Sequence, residues 1–193
     1  MEVLKNAIME KGTVLGNNIL KVDSFLNHNV DVKLMWEIGE EFAKRFENEN
    51  ITKIVTMESS GIAPAYAAAM IMGVDMVFAR KNKSLTLNDD SSDLAVTEIF
   101  SFTKNVLTMA YISKKYISPD DNVLIIDDFL ANGEAAMSLV NIVESIGANI
   151  KGVGIVIEKT FQKGRKELED KNLRIESLAR IKSLDNNTVT FME

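Results

Sequence analysis

Short apolar segments alternate with amphipathic segments along this chain, and the alternation is the strongest constraint on its fold. The apolar segments are rich in β-branched residues, as is typical of strands buried on both faces of a sheet. They are residues 51–57 (ITKIVTM), 74–79 (VDMVFA), 123–127 (VLIID) and 152–158 (GVGIVIE). Helical periodicity appears between them, most clearly in residues 34–46 and 134–147. The pattern predicts an α/β fold with a mostly parallel, twisted sheet flanked by helices.

We predict a single domain, because 193 residues are enough for one hydrophobic core and hardly enough for two. We predict a short helix that ends at Gly12, a further strand at 106–112, and a pair of strands around the turn DNN near residue 186. Residues 84–103 are polar and lack a clear helical period. We interpret them as a loop or flap with a possible hairpin.

Composition removes several kinds of chemistry. The chain has no cysteine, which excludes disulfides, thiolate catalysis and cysteine-bound zinc and suits a reducing cytosol. Its single histidine, His28, argues against a Ser-His-Asp triad. The net charge of −6 argues against a broad nucleic-acid surface. We see no signal peptide and no apolar run of about 18 residues, so we expect a cytoplasmic protein without a membrane partner.

Two adjacent carboxylates, Asp127 and Asp128, end the strand at 123–127 in this interpretation. The loop that follows contains small residues, and a helix begins near Gly133. Small residues let backbone amides approach a ligand, and the free N–H groups of a helix start attract an anion, so a phosphate fits there. The aspartates would repel the phosphate, but they suit ribose hydroxyls or Mg²⁺. The stretch indicates a ribose 5-phosphate site; the simpler alternative is acidic residues that merely end a strand.

Polar groups also follow the other predicted parallel strands. The sequences are ESSG after 51–57, RKNK after 74–79, and EKTF after 152–158. In open α/β sheets, ligands bind beyond the carboxyl ends of the strands, so these groups are candidates for one site. Each also has a structural alternative: ESSG as a helix cap, RKNK as a solvated basic turn, and Lys159 as an exposed strand-end lysine.

The stretch VLIIDDFLANGEA resembles the phosphoribosyl diphosphate (PRPP) motif of type I phosphoribosyltransferases. Five more segments are similar, in order, to the bacterial xanthine branch of that family and cover nearly the whole chain: VDSFLNH, IVTMESSGIAPA, VFARKNKSLTL, GIVIEKTF and ESLARIKSL. Many family members carry threonines in the phosphate loop, where this chain has ANGEA. Phosphate binding would therefore rely more on backbone amides and Asn132, and the xanthine branch shares this ANG form.

The resemblance implies a fold and an activity. The fold is the type I phosphoribosyltransferase fold as a single domain over 1–193, with a mobile flap and a small hood formed by about 1–33 and 160–193. The activity is transfer of the 5-phosphoribosyl group from PRPP to xanthine, which gives XMP and diphosphate in purine salvage. It also implies Mg²⁺ as the PRPP complex, with no protein ligand to the metal assigned, and a homodimer.

The resemblance also implies roles for particular residues in PRPP binding and catalysis. Asp127 and Asp128 would lie by the ribose hydroxyls, while Arg80 and Lys81 would start the flap and neutralise the diphosphate. The 5-phosphate would be held by Ala131, Asn132, Gly133, Glu134 and Ala135. The diphosphate would be held by Glu58, Ser59, Ser60 and Gly61.

For the base, the resemblance implies Leu20, Asn27 and Lys159. The ammonium of Lys159 only donates hydrogen bonds, so it suits a six-oxo purine and discriminates against adenine. Asn27 both donates and accepts, and would contact the two-position oxygen of xanthine. The alternative for Leu20 is that it only packs within the hood. A contact between Leu20 and the base would be apolar or through its backbone.

Two alternative functions stay open at the level of sequence. One is the same transfer to guanine, hypoxanthine or adenine. The other is a regulator that senses PRPP without turnover. A regulator needs a DNA-binding element, for which this chain offers no spare segment, and its negative charge does not favour nucleic acid.

Overall fold

The structure, a computed structural model, describes residues 1–16, 18–81, 93–101 and 106–193. The helices are α1 (Glu2–Lys11), α2 (Val32–Arg45), α3 (Ile62–Met72), α4 (Glu134–Ile146) and α5 (Gly164–Glu169). The strands are β1 (Thr13–Val14), β2 (Leu20–Lys21), β3 (Lys53–Met57), β4 (Asp75–Ala79), β5 (Leu94–Ser101), β6 (Val106–Ser113), β7 (Asn122–Leu130), β8 (Asn149–Lys159), β9 (Ile175–Ser183) and β10 (Thr190–Phe191).

A six-stranded sheet with the order β10-β9-β8-β7-β3-β4 forms the centre of the described chain. All neighbouring pairs from β9 to β4 are parallel, and the short β10 runs antiparallel beside β9. The predicted strand–helix alternation, the parallel sheet and the terminal strand pair are confirmed. Among the described residues, no helix is both long enough and apolar enough to cross a membrane.

Both faces of the sheet are buried under helices. Successive strand residues point to opposite faces, so each strand contributes side chains to both. Leu124 and Ile126 of β7 pack with α1, α2 and α3 on one face, whereas Val123 and Ile125 pack with α4 and α5 on the other. All four of these β7 side chains are fully buried. Double-sided burial explains why the strands read as continuous apolar runs rather than as alternating ones.

The polar segment at 84–103 contributes one strand of a hairpin. β5 pairs with β6 in antiparallel register from Leu94 opposite Ser113 to Ser101 opposite Val106. Residues 84–92 and 102–103 of the predicted flap lie outside the described residues. An isolated bridge between Arg80 and Tyr111, with mutual N–H to C=O bonds of 3.0 Å, joins β6 to the chain leaving β4.

The N-terminal segment packs beside the C-terminal strands. The amino group of Met1 donates to the carbonyl of Leu178 at 2.7 Å, and the Lys5 ammonium lies 5.7 Å from the centre of the Phe191 ring. Residues 13–27 contain the β1–β2 pair and a π-helical turn at Asp23–Asn27. No helical or strand periodicity is visible in the sequence here, because β1 and β2 have two residues each and the π-helical turn has five.

The predicted end of the strand at 123–127 is wrong. The strand predicted to end at Asp127 continues to Leu130, and its partner β8 pairs with it through Leu130 opposite Glu158. The carboxylates therefore lie within β7. The polar residues mark instead the point where β3 leaves β7, since those two strands pair only as far as Val55 opposite Ile125.

Candidate active site

The carboxyl ends of β3, β4, β7 and β8 lie along one edge of the sheet, because these strands are parallel. This arrangement brings together the polar segments that the sequence placed after separate strands. Gly61 lies beside Asp127, since a Cβ atom at Gly61 would be 3.5 Å from Asp127 Oδ1.

The two aspartates are held in an environment that disfavours their charge. Asp127 is only 4 % exposed, and its Oδ1 accepts a 3.0 Å hydrogen bond from the backbone N–H of Asp128. Burial, followed by repulsion from Asp128, raises the pKa of Asp127 well above its usual range, and the Lys81 charge offsets part of this effect. Burial also raises the pKa of Asp128. A bound cation or a substrate that develops positive charge would relieve both penalties.

The loop at 131–135 (the 131–135 loop) turns directly from β7 into α4. Gly133 adopts a left-handed φ of 97°, and α4 begins at Glu134, as predicted. The N–H groups in the first turn of α4 have no helical partners and present a positive dipole end at the edge of the sheet. Asn132 is half-buried in this loop, between Ala131 and Gly133. One carboxylate oxygen of Glu134 is buried without a hydrogen-bond partner in the described structure.

Gly164, at the start of α5, supports the 131–135 loop, and sequence reasoning missed it. Its N–H donates to the carbonyl of Ala131 at 3.0 Å. Its Cα lies 3.0 Å from the position that a Cβ on Gly133 would take. A Cβ on Gly164 itself would lie 2.5 Å from that same carbonyl oxygen. The available signal was a glycine at a helix start, which is ambiguous without the chain path.

The 58–61 loop joins β3 to α3, and its acidic residue faces the start of the flap. Glu58 accepts a hydrogen bond of 2.6 Å from the Lys81 backbone N–H, and its other oxygen lies 3.9 Å from Arg80 Nε. The peptide bond between Glu58 and Ser59 is cis. Beneath the loop, the buried Thr56 hydroxyl lacks a partner in the described structure, and Gly61 is close enough that a Cβ there would collide with it.

The structure therefore places Arg80 and Lys81 next to the 58–61 loop, and the Lys81 charge acts on both aspartates. Cations and carboxylates from three strand ends share one region. The remaining residues of the basic run, 82 and 83, lie outside the described residues.

Lys159 is the last residue of β8 and reaches toward the N-terminal segment. Its ammonium donates to the carbonyl of Asn18 at 2.8 Å and lies 5.5 Å from the centre of the Phe129 ring. Burial lowers its pKa. Asn18 and Phe129 were not among the predicted site residues. Phe129 was detectable as the aromatic residue directly after the aspartate pair.

The other two residues predicted for the base differ in exposure. The Leu20 side chain is 6 % exposed and packs in the core, near the end of α1, which leaves only its backbone for a ligand. Asn27 ends the π-helical turn and is exposed to solvent. The structure thus places the Lys159 ammonium against the backbone of Asn18, whereas Asn27 lies on the surface of the same N-terminal segment.

A groove of about 580 Å³ lies elsewhere, along the outer edge of β4. Its walls come from β4, β6 and Tyr116, and it includes Arg80. We do not assign the site to this groove, because Asp127, Asp128 and Lys159 do not line it. The chemistry instead concentrates at the carboxyl ends of the strands.

Comparison with known proteins identifies the class. The phosphoribosyl transferase domain family matches residues 32–189. The chain belongs to this family. It is similar to xanthine phosphoribosyltransferase from Bacillus cereus (strain AH187), with 57 % identity over 100 % of this chain and 96 % of that protein.

Solved structures support the same fold. Adenine phosphoribosyltransferase from Saccharomyces cerevisiae, complexed with an imino-altritol bisphosphate and adenine, is 26 % identical, with a TM-score of 0.73 over 92 % of this chain and 97 % of that chain. The enzyme from Giardia lamblia, complexed with 9-deazaadenine, has a TM-score of 0.75 over 92 % and 97 % of the two chains. At 22 % identity, that second likeness is evidence for the fold alone.

Proposed function

We propose that this chain is a pentosyltransferase that transfers the 5-phosphoribosyl group from PRPP to xanthine, giving XMP and diphosphate in purine salvage. The observation that carries the proposal is the 57 % identity, over the whole chain, to xanthine phosphoribosyltransferases. The geometry supports it, because an anion-binding helix start, two carboxylates and a donor-only lysine occupy the same edge of the sheet.

In this proposal, the protein binds PRPP at its two phosphate ends. The 131–135 loop and the first turn of α4 hold the 5-phosphate through backbone N–H groups. The 58–61 loop holds the diphosphate through backbone amides and the hydroxyls of Ser59 and Ser60. Because the Glu58 carboxylate faces the Lys81 amide, its role is to fix the start of the flap rather than to contact the diphosphate.

The transfer replaces one bond at the ribose carbon with another. A purine ring nitrogen bonds to that carbon, the bond to the diphosphate oxygen breaks, and the diphosphate leaves with the electron pair. Arg80 and Lys81 stabilise this leaving group, while Asp127 and Asp128 accept hydrogen bonds from ribose hydroxyls and stabilise the positive charge that develops on the sugar. The ring proton of the base is released to solvent. A flap that includes 84–103 would exclude water.

Mg²⁺ would enter this site as its complex with PRPP, as the family resemblance implies. Mg²⁺ is commonly held by one or two carboxylates together with substrate phosphates. Asp127 and Asp128 are the available carboxylates, and the metal would supply charge neutralisation to the diphosphate.

Lys159 is the proposed determinant of the base. Replacing Lys159 with alanine is expected to raise KM for xanthine roughly ten- to a hundredfold, because a hydrogen bond to a charged group contributes about 1.5–3 kcal/mol. KM for PRPP should change less than threefold by comparison. Steady-state kinetics with each substrate varied in turn measures both. The control is Lys182→Ala, an exposed lysine on β9. A loss confined to PRPP would contradict the assignment.

The experiment that tests the function is product formation from PRPP and Mg²⁺ with xanthine, guanine, hypoxanthine and adenine, each alone and in competition. Preferential XMP formation supports the proposal. Preferential turnover of another base would keep the transfer chemistry and overturn the base assignment. PRPP binding without turnover of any base would favour a sensor, which salt-dependent DNA binding would then test.

We also propose that the active form is a cytoplasmic homodimer in which the terminal segments, about 1–33 and 160–193, form a hood over the base. Tyr66 and Met70 project from one face of α3 and are more than half exposed, and Phe78 on the edge strand β4 is 40 % exposed. Exposed apolar side chains on adjacent elements suit an interface between two copies. Sedimentation velocity tests this, and a single monomeric boundary at micromolar concentration would contradict it.

A further inference from the structure

An ion pair between the buried Glu158 and the partly exposed Arg165 joins the end of β8 to the start of α5. Glu158 is 1 % exposed, and Arg165 donates to both of its carboxylate oxygens, from Nε and from Nη2, each at 2.7 Å. Arg180 Nε lies 3.2 Å from Oε2 but is not aligned for a hydrogen bond, so its contribution is Coulombic. Burial acts to raise the pKa of Glu158, but the bonds from Arg165 and Ser177 outweigh it and the pKa is lowered. Glu158 is therefore an ionised, fully enclosed partner.

Each member of this pair is next to a group of the proposed site. Glu158 directly precedes Lys159 in β8, and its backbone pairs with Leu130, the last residue before the 131–135 loop. Arg165 directly follows Gly164, which donates to Ala131 and contacts the backbone at Gly133. The ion pair thus links β8, which carries Lys159, to Gly164, which supports the 131–135 loop.

α5 depends on such contacts for its position. It has six residues, well below the length at which a helix is stable alone. The buried Leu168 fixes one face of α5 against the core, at the far end from Gly164. At the near end, the two-pronged bond restrains the first turn, because two parallel hydrogen bonds hold the planar guanidinium in line with the carboxylate.

We propose that Arg165 is a positioning residue: through its two-pronged bond to Glu158, it holds Gly164 against the 131–135 loop and thereby sets the affinity of that loop for the 5-phosphate. The inference rests on the proposed function only in assigning this loop to the 5-phosphate. Arg165 acts through Gly164 and does not itself contact the substrate.

The test compares ribose 5-phosphate binding by calorimetry in the wild type and three variants. Arg165→Lys keeps a positive charge beside Glu158, which avoids an uncompensated buried carboxylate, but it cannot supply the fork. Glu158→Gln breaks the same fork from the other side. The matched control is Glu169→Gln, which removes the exposed 3.3 Å partner of Arg165 Nη1 and leaves the fork intact.

We expect Arg165→Lys and Glu158→Gln each to weaken ribose 5-phosphate binding about tenfold, since displaced backbone N–H groups would lose roughly one hydrogen bond to the charged phosphate. Glu169→Gln should stay within twofold of the wild type. In turnover, KM for PRPP should rise while kcat and KM for xanthine change little. A purely structural pair would not produce this split between substrates.

Other outcomes separate the two levels of the argument. Lower melting temperatures with unchanged ribose 5-phosphate affinity would show that the pair only stabilises the fold, and would overturn the inference. A wild type that binds no ribose 5-phosphate would overturn the loop assignment and the inference with it. A wild type that binds it but turns over no xanthine would overturn the proposed function, while the variants would still decide the role of Arg165.

Discussion

An Asp128→Asn enzyme is expected to lose roughly a hundredfold in kcat/KM for PRPP, the size of effect seen when one preorganised electrostatic group is removed from an active site. Asparagine keeps the shape of the side chain but cannot neutralise positive charge on the sugar or accept from two hydroxyls through a charged group. Steady-state kinetics with PRPP varied at saturating xanthine measures the loss. Asp75→Asn, at a side chain that is 91 % exposed, is the matched control.

The same substitution is expected to stabilise the fold at neutral pH. The pKa of Asp128 is raised in the folded protein, so the folded state binds its proton more tightly than the unfolded chain does. Stability therefore falls as pH rises from the ordinary aspartate pKa, about 3.9, through the folded-state pKa. Asparagine removes that loss. The melting temperature of Asp128→Asn should exceed that of the wild type at pH 7, and the difference should shrink toward pH 4.

Two results would contradict this account. Unchanged turnover of PRPP would remove Asp128 from the ribose site. A melting temperature that falls equally at pH 4 and pH 7 would show that the side chain is needed for packing rather than held at a cost in stability. The expected combination, a more stable and less active protein, is the usual signature of charge buried for function.

Gly133→Ala is expected to raise KM for PRPP more than tenfold while leaving KM for xanthine nearly unchanged. Gly133 has φ of 97°, and a Cβ there would lie 3.0 Å from Gly164 Cα, so the backbone of the 131–135 loop must move to accept it. Moving this backbone shifts the N–H groups proposed to bind the 5-phosphate, and misplacement by about 1 Å costs up to roughly a hundredfold. Kinetics with each substrate varied in turn measures the effect.

Gly73→Ala provides the control for this prediction. Gly73 has φ of 68° at the end of α3, and no atom lies within 4 Å of its hypothetical Cβ. Gly73→Ala should lose about 1–2 kcal/mol of stability from the left-handed backbone, and Gly133→Ala should lose more because of its added contact with Gly164. Only Gly133→Ala should lose PRPP affinity. Equal kinetics in the two folded variants would mean that the loop geometry at Gly133 does not matter for the phosphate.

Much of the fold follows from the sequence, because alternation of short apolar segments with helical ones is a local property. Residues 123–127 and 152–158 contain their strand signals within themselves, and parallel strands must share one edge for their carboxyl ends. Asp127 and Lys159 therefore lie near the same edge of the sheet, the one formed by the carboxyl ends of the strands. The glycine and small residues of the 131–135 loop indicated the turn into α4 for the same local reason.

The sequence did not place the aspartates within β7 or indicate how deeply they are buried. β7 continues to Leu130 because β8 continues to pair with it, while β3 diverges after Val55. Such pairing depends on neighbouring strands that are distant in sequence. Burial follows from the same packing, and it is burial that raises the pKa values of the two carboxylates.

The sequence by itself predicted a mostly parallel α/β sheet, polar residues near the ends of its strands, and the residue types available for chemistry, because each of these depends on local spacing. The tertiary structure alone decided that Gly164 supports the 131–135 loop, that Lys159 meets Asn18, and that Arg165 encloses Glu158. Asn18 and Lys159 are 141 residues apart. Contacts of this kind depend on the path of the chain, which brings side chains together without leaving a periodic mark in the sequence.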